Sequence, residues 1–76
     1  MDLIKVAVLT RSCKDYLIFL NENEKENEVY TWIYNVDQTR GKRFDRIEKY
    51  YDWYEIKNID EILYYLERGI NLKTKP

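Results

Sequence analysis

Apolar and β-branched residues fill Leu3 to Thr10 with weak alternation. Ile4, Val6 and Val8 fall on one side and Lys5 and Arg11 on the other, the period-two pattern of a strand. Ser12-Cys13-Lys14-Asp15 suits a turn, since Ser and Asp side chains can hydrogen-bond the local backbone. Tyr16 to Leu20 is a second apolar run, so residues 1–20 predict a β-hairpin. Asn21 to Glu28, NENEKENE, has no apolar residue and four glutamates, and is expected as a solvated acidic loop. From Val29 to Val36 the chain alternates again, with Tyr30, Trp32, Tyr34 and Val36 on one face and Val29, Thr31, Ile33 and Asn35 on the other. Alternation and aromatic content both predict a strand near 29–36. Both faces of this strand and of Tyr16–Leu20 carry apolar side chains, so the sheet should be covered on each side, by a helix, a second subunit or a partner.

Residues Asp37 to Lys42 contain a glycine and suit a loop. Between Arg43 and Tyr54, Phe44, Ile47, Tyr50, Tyr51 and Tyr54 would share one stripe of a helix, with Asp45, Glu48, Lys49 and Asp52 opposite. A strand here would place charges on both faces, so a second helix is expected over about 43–52, followed by an extended piece through Trp53–Lys57. The last element is the clearest. Asn58 and Glu61 have capping-box spacing, and Ile59, Ile62, Leu63, Leu66 and Ile70 follow at helical spacing. Gly69 is placed to end that helix near 59–68, with Arg68 in its last turn and a flexible tail over 71–76. The expected fold is α+β in a single domain over 1–70: a small antiparallel sheet of three or four strands with a C-terminal helix.

Composition narrows the chemistry. Of 76 residues, eight are tyrosine and two tryptophan, none is histidine and one is cysteine. A domain this short has a thin stability margin, and one cysteine allows no internal disulfide. A homodimer or unusually dense ring packing is left to make up the difference. Thirteen basic residues against fourteen acidic ones argue against a general nucleic-acid or membrane binder. Lys5 interrupts Leu3–Leu9 and Arg11 follows, which is neither a signal-peptide core nor a membrane span. A cytoplasmic location is expected. Residues with AT-rich codons outnumber those with GC-rich codons, a composition common in viruses and mobile elements.

Candidate catalytic groups are few. Cys13 lies beside Lys14 and near Arg11, which could activate a thiol, but no histidine exists to serve as its base. Asp45, Glu48 and Asp52 interleave with Arg46 and Lys49, as on an ordinary solvated helix surface. Two glycines cannot build a phosphate-cradling loop. No enzyme, cofactor or metal is expected.

Binding is the better-supported class. Tyr and Trp give large rigid contact area with a polar tip, and Trp53, Tyr64, Tyr30, Trp32 and Tyr34 are the candidate anchors. The leading expectation is a non-enzymatic protein-interaction module, a viral or mobile-element inhibitor or modulator that binds a host protein or nucleoprotein complex. The alternative is a small nucleic-acid-binding regulator. Arg40, Lys42, Arg43, Arg46 and Lys49 would contact phosphates, and neighbouring rings would contact bases.

Overall fold

A computed structural model describes residues 3–74, with side chains described for residues 3–70. Three strands, β1 (Ile4–Leu9), β2 (Glu28–Ile33) and β3 (Arg46–Lys49), form one sheet. Their order is β2-β1-β3, and both pairings are parallel. Helix α1 (Cys13–Asn23) connects β1 to β2, and helix α2 (Ile59–Thr74) follows β3. Short 3-10 turns occupy Val36–Thr39 and Trp53–Glu55. A small fold mixing strands and helices was expected and is found. The antiparallel arrangement and the N-terminal hairpin are not.

The hairpin fails because its supposed turn is a helix cap. Ser12 is extended (φ −135°, ψ 160°) and its hydroxyl accepts the Asp15 N–H at 3.3 Å, satisfying one of the otherwise orphaned donors of the first turn. The same hydroxyl donates to the Asp15 carboxylate at 3.1 Å. Tyr16, Phe19, Leu20 and Asn23 then recur at helical spacing. Leu17, which made the run look like a strand, is 58% exposed on the outer side. The helix absorbs residues 21–23, so the acidic loop shrinks to its middle. Glu28 opens β2 with its carboxylate buried.

The helix expected over 43–52 is replaced by β3 and its flanks. Arg46 and Glu48 sit on one face of the strand, and their charges are satisfied by each other and by Glu28. That pairing removes the objection to charges on a strand. Phe44 and Ile47 face the opposite side and join the core there. Pairing with β1 continues beyond both ends of β3, from Asp45 N–H to the Lys5 carbonyl (2.7 Å) and from Tyr50 N–H to the Leu9 carbonyl (3.0 Å). Trp53–Glu55 is a 3-10 turn rather than an extended piece.

Helix α2 is found where its stripe predicts, but it runs on through residues 71–74. Gly69 therefore lies inside the helix and does not end it. A Cβ placed there would be 3.6 Å from the Lys42 carbonyl oxygen, so this is where the loop before β3 crosses the helix. Asn58 has φ 60°, a left-handed conformation that Asn tolerates and not the extended geometry of a capping residue. Residues 75–76 of the expected tail lie outside the described residues.

β1 is the centre of the molecule. Val6, Ala7, Val8 and Leu9 are each 0% exposed, the burial on both faces that a central parallel strand requires. Its even positions, Val6 and Val8, pack with Phe19, Tyr16, Leu20, Tyr30 and Tyr50 beneath α1. Its odd positions, Ala7 and Leu9, pack with Ile33, Phe44, Ile56, Ile62 and Leu66 beneath α2. At the edge strand β2, the Gln38 carboxamide donates to the Trp32 carbonyl (3.0 Å) and accepts the Tyr34 N–H (2.8 Å). It thereby caps the C-terminal end of an edge that could pair with another chain.

Candidate functional site

Open parallel sheets usually bind ligands beyond the carboxyl ends of their strands, where the order reverses. Here that point lies between β1 and β3, and exposed ion pairs span it. Arg11, just past β1, reaches Glu55 at 3.3 Å and Asp52 at 4.0 Å, both beyond β3. Cys13 is exposed on the first turn of α1. Among the described residues, no group of three or more His, Cys, Asp and Glu could hold a metal.

Two hollows lie elsewhere, around the loop before β3. A depression of about 670 Å³ is lined by Leu3 and Lys5 of the β1 segment, Val29 and Thr31 of β2, and Gly41, Lys42, Arg43 and Phe44. All four strand-segment residues are at odd positions, so this is a corner of the α2 face. Leu3 and Val29 remain 55% and 44% exposed there. A second depression, about 360 Å³, is lined by Thr39, Arg40, Tyr65, Arg68 and Gly69 together with the same Gly41, Lys42 and Arg43. Gly41 has φ 73°, which lets the chain turn sharply at the start of the shared segment.

The electrostatics of this groove are one-sided. Lys5, Arg40, Lys42, Arg43 and Arg68 line it, and among the described residues no aspartate or glutamate does. Arg40 makes an exposed ion pair with Asp37 at 3.7 Å; the other four cations make none among the described residues. The carboxylate of Asp45, next in sequence to Phe44, accepts the Lys5 backbone N–H at 2.8 Å.

The cations expected from sequence to act together are thus divided. Arg40, Lys42 and Arg43 share the groove, whereas Arg46 and Lys49 do not line it. Arg46 donates to both oxygens of Glu28 (2.7 and 3.1 Å) and to Glu48 (2.6 Å). These contacts raise its own pKa, and Arg46, then Tyr30, hold the Glu28 carboxyl down at about 2. Lys49 places its ammonium 4.8 Å from the centre of the Trp53 ring. Lys5 and Arg68 complete the groove. Neither stood out in the sequence, because one was the polar residue of a strand and the other a helix-end charge.

The candidate aromatic anchors are scattered too. The Tyr30 hydroxyl contacts the Glu28 carboxylate and the Asn23 carbonyl (3.1 Å) and accepts the Lys25 N–H (3.1 Å). Trp32 is half-buried, donates to the Thr10 carbonyl at 3.2 Å and stacks with Tyr16. Trp53 is half-buried against the α2-face core. Tyr34 and Tyr64 are 51% and 58% exposed, one past the end of β2 and the other on α2. No family model, curated protein or solved structure matches this chain.

Proposed function

We propose that this chain is a small non-enzymatic binding module whose working surface is the groove around residues 40–43 and whose partner is a nucleic acid. The carrying observation is local. Among the described residues, five cations and no carboxylate line the groove, in a chain whose formal charge is −1. Such concentration of one sign attracts a polyanion despite the balanced total, and each phosphate neutralised releases a counterion. Anisotropy of a labelled single-stranded oligonucleotide, titrated with salt, tests this. With about four phosphate contacts, affinity falls roughly 50-fold between about 50 and 200 mM salt. The double charge reversal Lys42→Glu, Arg43→Glu abolishes binding without moving the melting temperature, both side chains being exposed. Binding that ignores both salt and this substitution would refute the reading.

A protein partner is the second reading, favoured by one observation. Exposed Tyr34 packs its ring 4.5 Å from Trp32 and lines a hollow of about 170 Å³ with Asn35, Val36, Lys57 and Asn58. Rings of this kind anchor interfaces. Under that reading, Tyr34→Ala weakens a captured protein partner by about 2 kcal/mol and leaves oligonucleotide affinity unchanged.

A further inference from the structure

The nucleic-acid reading, on which this inference rests, leaves open the form of nucleic acid that fits. The segment Gly41-Lys42-Arg43 lines both hollows, so it is the stretch of surface that they share. On one side the floor is apolar, from Leu3, Val29 and Phe44. On the other, Tyr65 and Arg68 are among the lining residues. A sugar–phosphate chain drawn to this shared segment would therefore meet, in either hollow, side chains suited to a flat apolar group.

A duplex cannot use such hollows, because its base faces are stacked inside and only base edges reach its grooves. An unpaired strand can turn its bases outward and lay them on aromatic or apolar side chains. We infer that the groove binds single-stranded nucleic acid. The phosphates lie over Lys42 and Arg43, and neighbouring bases turn into the two hollows, one onto the Leu3–Val29 floor and one against Tyr65.

The experiment uses the full chain at one fixed salt concentration. It compares three probes of equal length: a single strand of thymidines or uridines about 12 nucleotides long, the same backbone carrying abasic sites, and a duplex. The expected result is binding to the thymidine or uridine strand at least tenfold tighter than to the abasic strand or the duplex. Tyr65→Leu and Val29→Ser each weaken the base-bearing strand about fivefold or more and leave the abasic strand unchanged. Equal affinity for all three probes overturns base seating while the electrostatic reading of the groove stands. Failure of every probe to bind overturns both. The probe comparison needs only the unaltered protein, so a substitution that prevents folding does not blunt it.

Discussion

The two faces of the sheet use the same kinds of side chain to different ends. Beneath α1, polar tips are engaged internally. Tyr16 donates to the Tyr30 carbonyl (3.3 Å), Tyr50 donates to Glu22 (2.7 Å), and Arg46 clamps Glu28. The hydrogen bond to Glu22, then one to Tyr51, pushes the Tyr50 hydroxyl up to about 12. On the α2 face the core is largely aliphatic, and one corner is open, with cations around it that make few ion pairs. Arg43 and Arg46 show the lesson at close range. Arg46 is on β3 and its guanidinium reaches Glu28 across the central strand; Arg43, in the loop just before, lines a groove. An arginine or tyrosine is available to a partner only if the fold has left its polar end without an internal one.

The comparison can be broken most forcefully at Phe19, which is 2% exposed and meets Tyr30 and Tyr50 edge-on at 5.6 and 5.2 Å. Phe19→Ala is expected to cost about 3–5 kcal/mol in chemical denaturation, a large part of what a domain this size possesses. A loss below about 1 kcal/mol would mean the α1 face is not a closed core.

Acid titration sharpens the same point. Glu28 is held at about 2 in the folded chain, against roughly 4.3 for an unperturbed glutamate. The unfolded chain therefore binds this proton more readily, and the stabilisation is complete above about pH 4.5 and disappears as pH falls through about 2. Melting temperature should drop over that window, and Glu28→Gln should flatten the drop. An equally steep decline in the variant would show that the Glu28–Arg46 pair does not carry it.

The two glycines give the smallest effects, with opposite signs. At Gly41 an added Cβ meets nothing within 4 Å, but φ is 73°, so Gly41→Ala should cost about 1 kcal/mol through backbone strain alone. At Gly69 the Cβ makes ordinary contact with Lys42 inside a helix, so Gly69→Ala should gain up to about 1 kcal/mol. Thermal melts of both variants check the signs. Destabilisation by Gly69→Ala would mean that the loop carrying Lys42 and Arg43 lies too close to α2 to admit a Cβ.

Part of the candidate groove was legible in sequence: Arg40, Lys42 and Arg43 form a local basic run, and the structure keeps them together. Arg46 and Lys49 belong to the same run and were lost to it, because a strand alternates its side chains and sends these two to different neighbours. Lys5 and Arg68 could not be found from local pattern, since they reach the groove from the first strand and the last helix. The aromatic anchors misled for a related reason. Ring content along β2 was plain, but whether Tyr30 and Trp32 end in solvent depended on the carbonyls of Asn23 and Thr10.

By itself, the sequence determined the elements whose signal is contained in one stretch of chain. The stripe from Ile59 to Ile70 specifies a helix, and the alternation after Val29 specifies a strand. Only the tertiary structure decided that Cys13–Asn23 is a helix, that Arg46–Lys49 is a strand and that all three strands run parallel. Those outcomes rest on pairings such as Ile4 with Glu28 and Val6 with Arg46, between residues far apart along the chain. Burying β1 on both sides and satisfying Glu28 and Arg46 together stabilise one global arrangement, and no local window contains either requirement.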